Sequence, residues 1–264
     1  MTAGTAGHAA LLEADDVSVR LGGVRVVERV ALTLRPNETV ALVGPNGAGK
    51  TTLVRALAGL LPAEGSIRLQ GRALSSMLAL ERARALAYLP QGHAFHWPLP
   101  VREIVALGRH PYADPFAPPT QADRAAVARA LAATGLEAMA DRPVDTLSGG
   151  ERARVALART LATEAPVLLA DEPTMSLDPR HQIIVMELLR HSAAQGGAVL
   201  AVVHDLALAG RFFDRILVMH RGRLVADAPP AEALSADRIA DVFGVAAIRV
   251  DVEGENLTIP WRAL

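Results

Sequence analysis

Residues Thr39 to Val43 form a short β-branched, apolar run that stops at Gly44, and the spacing of Leu53, Ala56, Leu57 and Leu60 predicts a helix running on to Pro62. Between them lies Gly44-Pro45-Asn46-Gly47-Ala48-Gly49-Lys50-Thr51, which fits G-x-x-x-x-G-K-[ST] without a mismatch. Strand, glycine loop and helix in that order constrain the chain more than any other feature, because they place a phosphate-binding loop between a sheet and a helix N-terminus. Glycines without side chains let backbone N–H groups converge on phosphate oxygens, and the helix dipole favours the same anion. Lys50 supplies a point charge to β- and γ-phosphates, the Thr51 hydroxyl is placed to ligate Mg²⁺, and Thr52 continues the nucleotide-binding stretch.

The surrounding pattern predicts an α/β chain. Leu12 to Leu21 and Val24 to Leu34 read as antiparallel strands joined at Gly22-Gly23, Ser66 to Leu69 as a further strand, and Leu78 to Ala87 as a helix. From Gln91 the composition shifts to Pro- and aromatic-containing loops, Gly92 to Pro100 and Pro111 to Pro119, around a helix at Val101 to Gly108. Ala122 to Thr134 and Glu151 to Thr163 are helical, so about 91–162 reads as an inserted helical subdomain. Val167 to Ala170 and Ala198 to Val203 return to buried-strand character with a helix at Arg180 to Gln195 between them, an alternation that implies parallel strands. No internal repeat is visible.

Acidic and amide side chains fall where such strands end. Asp171 and Glu172 follow the apolar strand from Val167, which would deliver both carboxylates rigidly to the sheet edge; one suits a hydrated divalent cation, and the other is free to orient or deprotonate a water. His204 follows the strand Ala198 to Val203, and Gln91 stands at the border of the helical insert. Leu147-Ser148-Gly149-Gly150-Glu151 lies between the loop and the acidic pair. Ser148 followed three residues later by Glu151 is a capping box, and a helix N-terminus there also favours phosphate.

The phosphate loop, Leu-Ser-Gly-Gly-Glu and Asp-Glu, in this order, resemble the ATP-binding cassette ATPases, over about Leu12 to Gly244. The resemblance implies a P-loop nucleotide-binding core with an antiparallel β subdomain (12–90 and 163–264) and an inserted helical subdomain (91–162), within a single domain spanning 1–264. It implies ATP and Mg²⁺ as cofactors, with Gly44 to Thr52 on the nucleotide and Thr51, Asp171 and Gln91 near the metal. Glu172, His204 and Gln91 take the catalytic roles. Ser148, Gly149, Gly150 and Glu151 act on the ATP of a second copy, in a homodimer, and Pro173-Thr174 with Ser176-Leu177-Asp178 matches the D-loop pattern. One departure stands out: the family's usual adenine-stacking aromatic is replaced by Leu21, leaving Arg20 or Arg25 as cation–π cover.

Tyr88-Leu89-Pro90-Gln91, Leu107-Gly108-Arg109-His110-Pro111 and His204-Asp205-Leu206 are similar to ATPases serving iron-siderophore, haem and cobalamin importers. Such systems pair two ATPase copies with integral membrane permease subunits and, indirectly, a periplasmic substrate-binding protein, so the chain would lie at the cytoplasmic face of the inner membrane. Phe95, His96 and Trp97 are then expected to line the groove that receives a short helix of the membrane partner. Zinc, manganese or another small solute are alternative cargoes, since no residue here touches cargo. A non-transport cassette is disfavoured because neither a second cassette nor a long coiled-coil insert is present.

Composition adds exclusions. The chain of 264 residues is 51 % hydrophobic, enough for a full core, with net charge −1 and no cysteine. That charge gives no electrostatic footprint for nucleic acid, and disulfides and thiolate chemistry are excluded. The apolar stretch Ala198 to Val203 is far short of the roughly 18 residues of a membrane span, and Met1 to Leu12 lacks the features of a signal peptide. His93, His96 and His110 lie close in sequence but lack Cys partners or helical i, i+4 spacing, which disfavours a metal site.

Overall fold

The computed structural model describes residues 9–92, 95, 97–114, 116–175, 177–252 and 255–264. In chain order these form β1 (Leu12–Leu21), β2 (Val24–Leu34), β3 (Glu38–Val43), α1 (Lys50–Leu57), β4 (Glu64–Leu69), β5 (Arg72–Ala73), α2 (Ala79–Ala85), β6 (Leu86–Leu89) and α3 (Val101–Ala106). They continue with α4 (Gln121–Ala133), α5 (Gly149–Leu161), β7 (Val167–Asp171), α6 (Pro179–Ala194), β8 (Ala198–Val202), α7 (Leu206–Phe212), β9 (Arg215–His220) and β10 (Arg223–Ala228). The last elements are α8 (Pro230–Ala233), α9 (Ala236–Phe243), β11 (Val245–Val252) and β12 (Glu255–Ala263).

One sheet has the order β10-β9-β3-β8-β7-β6, in which β9, β3, β8, β7 and β6 run parallel and β10 closes an edge antiparallel. Every residue of β7 and β8 is buried, as required of parallel strands covered on both faces. Alternate side chains of β8 serve two cores. Leu200 and Val202 face the second sheet, β2-β1-β4-β5, and α1, together with Leu53, Leu57 and Leu217, whereas Val199 and Ala201 pack with Met186 and Leu189 of α6 and Phe212 of α7. Val101, Ile104 and Val105 of α3, Leu131 of α4 and Val155 of α5 form a third apolar cluster. Arg215 of β9 ties strands of the six-stranded sheet, its Nε donating to Glu38 Oε1 of β3 at 2.7 Å and its Nη1 to both Asp227 oxygens of β10 at 2.7 and 2.9 Å, while its Nη2 donates to Thr33 O of β2 in the second sheet.

Three elements differ from the sequence pattern. The first helix stops at Leu57, short of Pro62, because Gly59 at φ +69° donates to Ala56 O (2.9 Å) and Leu60 to Arg55 O (2.9 Å), closing the helix end with a left-handed glycine. The helix expected through Ala87 ends at Ala85, and Leu86–Leu89 become β6, with Leu86 against Val167 and Leu89 against Ala170. A four-residue strand carries no periodicity of its own; the neighbouring β7 makes it one. The helix expected at Val101 to Gly108 is α-helical only to Ala106 and continues as a 3₁₀ turn through Tyr112.

Candidate functional site

The glycine loop leaves β3 at the centre of the parallel sheet, and its narrowness is fixed by backbone. A β-carbon on Gly44 would lie 2.1 Å from the Met219 carbonyl oxygen of β9, and one on Gly49, at φ +102°, would lie 2.7 Å from the Val26 carbonyl oxygen of β2. Only glycine fits either place. Lys50 is buried, and its Nζ donates to Gly44 O at 2.7 Å and Pro45 O at 2.9 Å, curling the loop around the ammonium. Burial pushes the Lys50 pKa down, while the charges of Glu172 and Asp171 act in the opposite direction. A cavity of about 200 Å³ opens at the loop, lined by Asn46 to Thr52 together with Val26 and Glu172. Val26 had no distinguishing signal in the sequence, because its place depends on how β2 passes the loop.

Asp171, the last residue of β7, is fully buried, and its Oδ1 accepts from Thr51 Oγ1 at 3.1 Å. Its Oδ2 is buried without a hydrogen-bond partner. Burial raises the Asp171 pKa, the Thr51 hydrogen bond opposes that, and the Glu172 charge adds to it. A hydrated divalent cation fits this donor set, since it would supply the orphaned oxygen with a partner and relieve the cost of a buried charge. No group of three or more His, Cys, Asp or Glu gathers among the described residues, so such a cation would be completed by phosphate oxygens and water rather than by a protein cage.

Glu172 turns away from the strand at φ +54°, a left-handed conformation that costs a side-chain-bearing residue about 1–2 kcal/mol. The turn brings its carboxylate between two partners. Gln91 Nε2 donates to Oε2 at 2.9 Å, and His204 Nε2 lies 2.6 Å from Oε1. Gln91, Glu172 and His204 thus come from three separate strand ends of one sheet, β6, β7 and β8, and meet beside the loop cavity. Gln91 Nε2 also approaches Met175 Sδ at 3.6 Å, a contact with no sequence signal.

The remaining candidates are held elsewhere. Ser148 Oγ accepts from Glu151 N–H at 3.3 Å while Glu151 Oε2 accepts from Ser148 N–H at 2.7 Å, the reciprocal capping box at the start of α5. Those hydrogen bonds hold the Glu151 carboxyl below its usual range. Space next to Gly149 is open, and Gly150 faces Leu177. Among the described residues, none from Ser148 to Glu151 lines the cavity at the chain's own loop. Asp178 caps α6, with Oδ1 accepting from His181 N–H at 3.0 Å and Oδ2 2.7 Å from His181 Nδ1. His93, His96 and Ser176 lie outside the described residues, and His110 is exposed.

The chain that carries this lysine-filled glycine loop, buried carboxylate beside Thr51 and Gln91-Glu172-His204 cluster matches the family model for ABC transporters over residues 27–175. The chain belongs to the ABC transporter family. It is 47 % identical over 256 residues to the hemin import ATP-binding protein HmuV of Streptomyces coelicolor, covering 96 % of this chain and 91 % of that protein. Its identity to the HmuV of Rhodococcus jostii is 44 %, over 96 % of this chain and 87 % of that one. Among solved structures, a dimeric ATP-binding cassette bound to ADP and phosphate superposes with a TM-score of 0.73 at 25 % identity, covering 83 % of this chain and 98 % of that one. The chain is therefore an ABC ATPase, which binds and hydrolyses ATP.

Proposed function

We propose that this ABC ATPase powers uptake of haem, within the wider class of iron chelates and cobalamin, across the inner membrane. The observation that carries the reading is the 47 % identity to a hemin import ATP-binding protein over 96 % of the chain. Among the described residues no helix is long and apolar enough to cross a membrane, so passage of the cargo falls to separate integral permease subunits, fed by a periplasmic binding protein. The ATPase then sits on the cytoplasmic face as a homodimer. Its chain divides into a nucleotide-binding part, 12–90 with 163–264, and a helical part, 91–162, a division supported by the separate apolar cluster of α3, α4 and α5.

At the site, Gly44 to Thr52 bind the phosphates, with Lys50 exchanging its loop carbonyls for phosphate oxygens. Thr51 and Asp171, with Gln91 nearby, would hold Mg²⁺, which when bound neutralises charge developing on the phosphate oxygens. Glu172 orients and deprotonates the attacking water, and His204 reaches the γ-phosphate. Ser148, Gly149 and Gly150 close over the ATP of the second copy, with Glu151 stiffening the cap and Asp178 beside the interface.

The cargo reading is tested by reconstituting the ATPase with its permease in vesicles: haem-loaded binding protein should raise ATP hydrolysis several-fold above the empty protein. Stimulation by a cobalamin- or siderophore-loaded protein instead would reassign the cargo. In the same preparation Trp97→Ala should reduce recovery of the permease with the ATPase. Trp97 is 70 % exposed, so its loss should leave the melting temperature unchanged, and undiminished recovery would remove it from the docking groove.

The base site carries its own expectation. Leu21 is 41 % exposed and pairs across the β1–β2 hairpin with Val24, an aliphatic platform beside the strand that supplies Val26 to the cavity. Arg20 and Arg25 are each engaged with Glu64, at 3.4 and 3.7 Å, rather than extended over the site. Leu21→Tyr should therefore tighten ATP binding by about 1–3 kcal/mol of base stacking, roughly 5- to 150-fold in dissociation constant. An unchanged constant in a fluorescence titration would show that another group already covers the base.

A further inference from the structure

Tyr88 carries a buried hydroxyl that none of the roles above uses. It stands on β6 with Leu169 of β7 as its register partner, and Asp171 lies two residues further along β7. Side chains two apart on a strand share a face, so Tyr88 and Asp171 project to the same side of the sheet from neighbouring strands. Such diagonal neighbours are about 7–8 Å apart, within reach of an aromatic side chain. Both ends of the diagonal are unsatisfied: Tyr88 Oη and Asp171 Oδ2 are buried without a hydrogen-bond partner, and Arg154 Nε is the other such side-chain atom among the described residues. Buried polar atoms are paired in the great majority of cases, so two orphans directed at one place need a common explanation.

Their mutual influence is visible in their acidities. Burial raises the Tyr88 phenol, the nearby Arg55 of α1 opposes that, and the Asp171 charge raises it further. The Tyr88 hydroxyl in turn acts to lower the Asp171 carboxyl.

We propose that Tyr88 is a positioning residue for Asp171, its hydroxyl donating to Oδ2 and fixing the carboxylate plane from the side opposite Thr51 when a divalent cation is bound. Each carboxylate oxygen has two acceptor sites, so a bond from Tyr88 leaves room on Oδ2 for cation-bound water. The proposal rests on the reading of Asp171 as the metal-holding carboxylate. It also gives Tyr88-Leu89-Pro90-Gln91 a unified purpose, since one segment would orient the metal carboxylate through Tyr88 and the water-activating Glu172 through Gln91.

The test is Tyr88→Phe in the full chain, with Mn²⁺ as probe and a non-hydrolysable ATP analogue bound, free Mn²⁺ being followed by electron paramagnetic resonance. Removing the outer-shell donor should weaken Mn²⁺ binding about tenfold or more. The Mg²⁺ concentration for half-maximal hydrolysis should rise by the same factor, with kcat recovered at saturating metal, while nucleotide affinity in EDTA stays unchanged. The ligand-free melting temperature should hold or rise, because phenylalanine keeps the ring and removes an unpaired hydroxyl. Mn²⁺ affinity within twofold of the unchanged protein overturns the proposal, and does so equally if the variant melts early, since Tyr88 is then packing alone. Asp171→Asn separates the two readings: if it too binds Mn²⁺ normally, the metal site itself is misplaced.

Discussion

Lys50→Ala should lose ATP binding by about 10²–10⁴-fold while melting close to the unchanged protein. Hydrogen bonds to charged groups contribute about 1.5–3 kcal/mol each, and an ammonium shared between β- and γ-phosphate makes at least two of them. The ligand-free fold responds differently because two effects oppose. Alanine leaves Gly44 O and Pro45 O without the donors now 2.7 and 2.9 Å away, but it also removes a buried cation whose ionised form the site disfavours, as its lowered pKa records. Titration with a fluorescent ATP analogue, alongside a melting curve without nucleotide, checks both halves. Wild-type affinity would mean that Lys50 serves only to curl the loop.

The ease of reading this chain varied with how local each feature is. The loop was legible because strand, glycines and helix are consecutive, and its two most confined glycines answer to backbone carbonyls of β9 and β2 that only folding brings near. The capping box at Ser148 and Glu151 was equally legible, being a three-residue spacing whose reciprocal hydrogen bonds form within one turn. What escaped is what neighbouring strands create. Leu86 and Ala87 look helical until β7 lies beside Leu86–Leu89, and Tyr88 has no evident purpose until Leu169 fixes its register two residues from Asp171. The strand Arg215–His220 pairs directly with β3 at the base of the loop, a neighbour that lies far from it in sequence. The surroundings of Arg20 and Arg25 were likewise open in sequence, and in the fold both pair with Glu64 of β4.

Glu172→Gln should bind ATP and fail to cleave it, with hydrolysis reduced by about 10²–10⁴-fold. The surroundings explain why shape survives. A glutamine keeps one acceptor oxygen for Gln91 Nε2, now 2.9 Å from Oε2, and offers an amide N–H toward His204 Nε2, which accepts it when the other ring nitrogen carries the proton. Only the capacity to take a proton from water is lost. Because ATP then persists, the two copies should stay closed around it and elute at the size of a dimer in Mg-ATP. Adding Ser148→Arg removes the cap hydroxyl that accepts from Glu151 N–H at 3.3 Å and fills the open space beside Gly149 with bulk, where the partner's γ-phosphate would be clasped. The double variant should elute as a monomer with or without nucleotide, while its affinity for ATP in its own loop is unchanged, since Ser148 does not line that cavity. Equal ATP-dependent dimerisation of the single and double variants would reduce the Leu147-Ser148-Gly149-Gly150 segment to a helix cap.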